Sequence, residues 1–232
     1  TSTNRVSDSR ADYYQTRQTQ SSWQNDIRLP AGDLLFALEE LKQRLASSNS
    51  FDRTNRTIQS ALLGWRANIG AHRFQANIRN DDNSQFGNRT TVFGAYGYQL
   101  TSALRLNGSY GTAFKAPTFN DLYYGGPGGL PNPNLRPEFS ENWEAAAIYE
   151  TVGQRASVTY YHNRVKDLID WAPNPTPSDP YNWSPMNVNK ALLEGVTLAA
   201  STRFDHWDLS ASLDLPRPRE VGTGHLLRRR AR

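Results

Sequence analysis

Tyr110 to Glu138, YGTAFKAPTFNDLYYGGPGGLPNPNLRPE, decides the fold because it leaves one alternating segment and ends where another begins. On its N-terminal side Leu104, Leu106, Tyr110, Thr112 and Phe114 share one parity while Arg105, Asn107, Ser109 and Gly111 share the other, the period of two expected of a strand. On its C-terminal side Trp143, Ala145, Ala147 and Tyr149 alternate with Asn142, Glu144 and Glu150. Two two-faced strands are therefore joined by about 25 residues rich in Gly and Pro with little regular structure, and loops of that length are usually functional or disordered.

Working outward, the same period recurs. Arg10 to Leu29 reads as one long strand or two short ones, stopped by Pro30-Ala31-Gly32-Asp33, a turn signal. Asp33 to Ala46, DLLFALEELKQRLA, also fits a helix, since Leu34, Leu38, Leu41 and Leu45 recur at helical spacing behind a possible Asp33 cap. Its neighbours favour a strand with Leu34, Phe36 and Leu38 on one face. Asn55 to Ala67, His72 to Asn80, Arg89 to Leu100, Ser140 to Glu150, Arg155 to Lys166, Asn187 to Thr202 and Trp207 to Leu215 complete the series. The last alternates throughout: Trp207, Leu209, Ala211, Leu213 and Leu215 against Asp208, Ser210, Ser212 and Asp214.

About ten strands of roughly 9 to 14 residues match the length that crosses a bilayer at a tilt. Tight turns at Pro30, Gly70, Thr101, Gly153 and Asp205 alternate with long loops after Ala46, Asn80, Phe114, Lys166 and Leu215. Short turns at one end and long loops at the other are the pattern of an outer-membrane barrel. The expected fold is all-β: an antiparallel transmembrane β-barrel, one partial barrel domain over residues 1–232, its strands about ten of a larger set. Trp23, Tyr96, Tyr98, Trp143, Tyr149 and Trp207 fall near strand ends, where they would form interfacial girdles or serve as ordinary strand aromatics.

Composition agrees. Mean hydropathy is −0.71 and hydrophobic residues make up 37% of the chain, which argues against helical spans but not against a barrel, where only alternate residues meet lipid. The 11% aromatic content argues against disorder. With no cysteine, disulfides and thiolate metal sites are excluded. The net charge of +4 owes part of its sign to the C-terminal HLLRRRAR, a tail that a soluble nucleic-acid binder could use but that this reading does not assign to nucleic acid.

With the strands in place, Tyr110 to Tyr123 (YGTAFKAPTFNDLY), Asn132 to Glu138 (NPNLRPE) and Ser140 to Glu144 (SENWE) resemble the corresponding block of TonB-dependent outer-membrane receptors, barrels of about 22 strands around a plug. GAHRFQANIRNDDNSQFGNRTT (Gly70 to Thr91) and VKDLIDW (Val165 to Trp171) most resemble the cobalamin transporter branch. The resemblance implies residence in the outer membrane, contact with its lipid, and import of cobalamin or a siderophore-like metal chelate driven by the TonB complex through a plug domain. No plug and no TonB-contacting box is recognisable, and the chain stops in a basic loop, Arg228 to Arg232, without an aromatic-terminated strand. The expectation is a middle-to-late piece of a barrel. A siderophore receptor of the same superfamily and a non-transporting barrel or adhesin remain open alternatives.

Candidate ligand contacts are the loop aromatics and amides: Asn120, Asp121, Tyr123 and Tyr124 in the first long loop, and Trp171, Tyr181 and Trp183 in the Pro-rich one. Rings stack on a large flat ligand and amides hydrogen-bond its rim, although the same groups could simply pack the loops together. Arg66, Arg73, Arg79, Arg105 and Glu144 form an inward row that would face a wet lumen or a plug. His72, His162, His206 and His225 make no metal-spaced pair, and Asp81-Asp82-Asn83 carries only half of a calcium-loop pattern. With no G-x-S-x-G or comparable motif, no enzyme, cofactor or metal is assigned.

Overall fold

The computed structural model describes residues 2–5, 13–125, 129–176 and 178–221. Its eleven strands are β1 (Ser2–Arg5), β2 (Tyr13–Leu29), β3 (Gly32–Ser47), β4 (Asn55–Ile69), β5 (His72–Asn83), β6 (Gly87–Gln99), β7 (Leu104–Lys115), β8 (Glu138–Thr151), β9 (Gln154–Pro173), β10 (Trp183–Phe204) and β11 (Trp207–Glu220), with one short helix, α1 (Phe119–Tyr123), between β7 and β8. All belong to one antiparallel sheet in strict sequence order. Among the described residues β1 and β11 do not pair, so this is an open wall. The basic tail and His225 lie outside the described residues.

The pairing register shows two faces. Phe36, Leu63, Ile78 and Val92 stand side by side on one. Asp33, Arg66, Gln75, Ala95, Ser109, Glu144 and Tyr161 form a continuous row on the other. Large apolar side chains are exposed all along the first face, among them Trp23, Leu38, Leu63, Ile78, Trp143, Val158, Leu198 and Leu213. An exposed apolar surface this extensive costs free energy in water and is stable against lipid. Directly paired rows climb along the strands: the row that begins at Phe36 near the β2–β3 turn ends on β9–β11 beyond the apolar stretch. That stagger is the consequence of strands tilted in a cylindrical wall.

Aromatic clusters mark both borders of the apolar face. Toward the tight turns His72, Phe74, Tyr96 and Tyr98 stack within 5.1–6.2 Å of one another. Toward the opposite end Trp143 lies 4.4 Å from Tyr110, and on the β2–β3 hairpin Trp23 meets Phe36 edge-on at 5.7 Å.

Three expectations need correction. The segment 81–88 is not a long loop: β5 runs to Asn83, and a three-residue turn leads into β6. Asn83 Oδ1 accepts the backbone N–H groups of Gln85 and Phe86, and Gly87 takes a positive φ of 71°, so an Asx-type turn closes a tight hairpin. The Asp81-Asp82-Asn83 run is therefore strand and turn, and Asp81 accepts from Ser60 and Arg79. Second, β9 continues to Pro173 and β10 begins at Trp183, leaving only residues 174–182 between them. Third, β11 passes through Pro216 and Pro218 to Glu220. Val221 N–H points at Lys190, so N–H positions of the opposite parity point to the free edge, where proline forfeits no bond to β10. The segment open to a helical reading is a strand, Gly32–Ser47, its leucines split between both faces.

Candidate functional site

The buried side chains concentrate where the long β7–β8 connection folds back over the wall. Phe119, Leu122 and Leu135 are buried there, and Val165, Leu168 and Ala191 form a cluster on β9 and β10. The connection is organised by α1. Thr118 caps it: Asp121 N donates to Thr118 Oγ1 at 3.1 Å, while Thr118 N and Oγ1 donate to Asp121 Oδ2 at 2.9 and 2.7 Å. This reciprocal capping box follows from the T-F-N-D run, a local signal that strand alternation does not reveal.

Arg56, near the start of β4 and beyond the apolar band, is the strut beneath. Only 5% exposed, it donates from Nε and Nη2 to Gln85 Oε1 at 3.0 and 2.8 Å and from Nη2 to the Pro117 carbonyl at 2.9 Å. Its guanidinium lies 4.9 Å from the Phe119 ring centre and 5.2 Å from that of Phe86. Burial pulls its pKa below the ordinary guanidinium value, though an arginine stays charged at any physiological pH. Gln85 Nε2 then donates to Tyr123 Oη at 2.9 Å. Trp171 Nε1 donates to Asp121 Oδ1 at 3.3 Å, tying α1 to β9.

The C-terminal half of the connection is stitched as tightly. Leu130 N–H donates to the Trp183 carbonyl at 2.8 Å and Asn132 Nδ2 to the Pro185 carbonyl at 3.0 Å. Arg136 pairs with Asp167. Asn187 donates to the carbonyls of Arg136 and Asp167 at 2.9 and 2.7 Å and accepts from Arg136 N at 2.9 Å. Asp167 has φ 55°, so the strand bends where these bonds converge.

The seven sequence candidates thus divide. Asp121, Tyr123 and Trp171 are joined through α1 in one network whose bonds are internal. Asn120 is exposed and Tyr124 half-buried at the helix end, where Tyr124 N–H caps the Asn120 carbonyl at 3.0 Å. Trp183 is half-buried beneath Gly129 and Leu130. Tyr181 stands apart near the base of the 174–182 loop, 82% exposed. Arg56, Gln85, Phe86, Arg136, Asp167 and Asn187 are not among the sequence candidates. Arg136 sits inside the quoted NPNLRPE, but Arg56 carries no local signal.

On the polar face, Arg66, Arg73, Arg105 and Glu144 line one cleft of about 440 Å³ with Gln75, Asn107 and Ser109. Arg79 does not join them, because Glu39 at 2.7 Å and Asp81 at 2.8 Å hold it against β3 and β5. Among the described residues no three His, Cys, Asp or Glu side chains are grouped to hold a metal. The arrangement is a wall with a polar face of mixed charge, an apolar outer face, and a closely bonded cap at the loop end.

The decisive observation is that residues 2–221 match the family model described as TonB dependent receptor-like, beta-barrel. The chain belongs to this family. Two curated relatives extend the match to this receptor barrel. Both are named Vitamin B12 transporter BtuB. The one from Photobacterium profundum is 34% identical over 187 residues, covering 80% of this chain and 30% of the relative. The one from Vibrio vulnificus is 31% identical over 216 residues, covering 91% and 34%. The chain thus spans about a third of the length of these relatives. Among solved structures, the siderophore receptor PirA from Pseudomonas aeruginosa superposes with a TM-score of 0.75 at 20% identity, over 90% of this chain and 45% of that one. The copper transporter OprC does so with a TM-score of 0.77 at 16% identity, over 94% and 40%. At such identities these structures speak to the fold, which they share with this TonB-dependent receptor barrel.

Proposed function

We propose that the chain forms part of the wall of an outer-membrane receptor that binds cobalamin or a similar metal chelate at its loop end and imports it with TonB-derived energy. The observation that carries this is the identity of 31–34% to two proteins named as vitamin B12 transporters, over 80–91% of the chain. The structure supports it with a wall whose outer face suits lipid and whose loop end is ordered by a dense polar network. In this reading Asn120, Tyr124, Tyr181 and Trp183 contact the ligand, while Asp121, Tyr123 and Trp171 hold α1 in position to present them. A broad ligand is gripped by aromatic faces and amides of this kind. The cationic row Arg66, Arg73 and Arg105 faces the interior, where a plug and the ligand's path would lie.

The test is equilibrium binding of cyanocobalamin to the full-length protein that carries this chain, purified in detergent. Saturable binding in the nanomolar to micromolar range of roughly −8 to −12 kcal/mol, weakened about tenfold or more by Tyr181→Ala or Tyr124→Ala, is the expected result. Binding of a ferric siderophore with no response to cyanocobalamin would assign the receptor to the other ligand class.

A further inference from the structure

On the outer face, the two outward positions that follow the apolar band differ around the wall. On β4–β8 they are Gln59 and Thr57, Asn80 and Asp82, Thr90 and Asn88, Thr112 and Phe114, and Glu141 and Phe139, with no cation among them. Outward cations stand at this border at the two ends of the described wall: Arg17, Lys42 and Arg44 on β2–β3, and the larger group Arg164, Lys166, Lys190, Arg217 and Arg219 on β9–β11. The register places Arg164, Leu192 and Arg219 in one row and Lys166 beside Lys190 in the next. Arg217 lies one row below the first, beside Glu194 and His162, so at about 4.8 Å between strands and about 6.7 Å between alternate residues the five cations of this group occupy a patch of roughly 10 by 13 Å.

Two of the five are engaged: Arg219 with Glu194 at 2.8 Å, and Lys166 with Glu141 at 3.5 Å and over the Phe139 ring. Glu194 also lies 3.5 Å from His162. Arg164, Lys190 and Arg217 are exposed and make no ion pair among the described residues. Leu192, although on the outer face, is only 7% exposed, flanked in its row by the long stems of Arg164 and Arg219, which cover apolar surface whether the head is paired, as in Arg219, or free, as in Arg164. Directly below, Leu213, Leu215, Leu198, Val158 and Tyr160 continue the apolar face, each more than 40% exposed.

We infer that this patch is a binding site for an anionic lipid with a phosphate-bearing headgroup, with the acyl chains on the apolar stretch below and the phosphate among Arg164, Lys190 and Arg217. Charge complementarity selects the headgroup, since phosphate accepts forked donation from arginine and basic residues at a membrane border attract anionic lipid. Continuity with the apolar face selects a lipid over a soluble acidic partner. The inference rests on the reading of this face as lipid-exposed.

The test uses the full-length protein in detergent micelles doped with phosphatidic acid or with zwitterionic phosphatidylcholine, with retained lipid counted by native mass spectrometry. Phosphatidic acid should be retained preferentially. The Arg164→Ala/Lys190→Ala/Arg217→Ala variant should lower its apparent affinity about a hundredfold, each cation being worth somewhat under a factor of ten. Arg155→Ala/Arg203→Ala, on the opposite, polar face of β9 and β10, should leave it unchanged. Salt at roughly 0.5 M, where charges are screened within about 4 Å, should weaken retention by the wild-type protein, a readout independent of how well the triple variant folds. Equal retention of the two lipids, or a folded triple variant that keeps its preference, overturns the proposal. Failure to enter micelles at all overturns the lipid-facing reading beneath it.

Discussion

Arg56→Ala is the most informative single change, because Arg56 joins three segments distant in sequence. Substitution leaves Gln85 Oε1 and the Pro117 carbonyl without the donors they now have at 2.8–3.0 Å. Each unpaired buried acceptor costs about 1–3 kcal/mol, and the lost contacts with Phe86 and Phe119 add about 0.5–1 kcal/mol each. Relief of guanidinium desolvation offsets part of this, which leaves about 3 kcal/mol. That loss falls on the cap rather than on the sheet, whose ladder bonds do not involve the guanidinium. The assay is amide hydrogen exchange in detergent micelles at Leu122 and Tyr124, whose N–H groups close α1 onto Thr118 and Asn120. About 3 kcal/mol corresponds to roughly a hundredfold faster exchange at about 1.4 kcal/mol per decade, with amides of β4 and β5 unaffected. Exchange within about threefold of wild type at both amides would refute the strut argument.

Two further outcomes probe the wall. Gly32→Ala should destabilise more than Gly70→Ala by urea midpoint of the full-length protein in micelles. Both glycines have positive φ, at 119° and 58°, but a Cβ on Gly32 would collide with the Arg66 carbonyl, whereas one on Gly70 meets nothing within 4 Å; equal losses would contradict that close approach. Leu63→Arg, on the outer face between Phe36 and Ile78, should cost about 2–4 kcal/mol in lipid. Gln75→Arg on the polar face should cost under about 1 kcal/mol, and a reversal of that order in refolding yield would mean that the faces are misassigned.

The legible part of this chain was whatever repeats every second residue. Alternation assigned Trp207, Leu209, Leu213 and Leu215 to one face and Arg66, Arg73 and Arg105 to the other, because a pleated backbone sends successive side chains to opposite sides whatever the tertiary context. Turn chemistry was legible at Pro30, Gly70, Thr101, Gly153 and Asp205, where a short break separates two alternating runs. Asn83 built its turn with a side-chain amide, so the 81–88 segment is shorter as a connection than its polar composition suggests. The helical capping box in T-F-N-D is local too, but a single turn has no apolar periodicity by which to recognise it.

The site was less legible. Asp121 and Trp171 were identifiable by type as loop polar and aromatic groups, yet their hydrogen bond spans 50 residues, and that from Arg56 to Pro117 spans 61. Such partners meet only after every intervening strand has taken its register, which depends on pairing along the whole ladder. The same holds for the cations of β9–β11: each is an ordinary strand residue until the sheet sets Arg164, Leu192 and Arg219 side by side. The sequence by itself determined the two-faced strands and the family, since both reside in local pattern. Tertiary structure decided which loop groups are spent on each other and which are left exposed, because a side chain is free or engaged only once its neighbours across the sheet are in place.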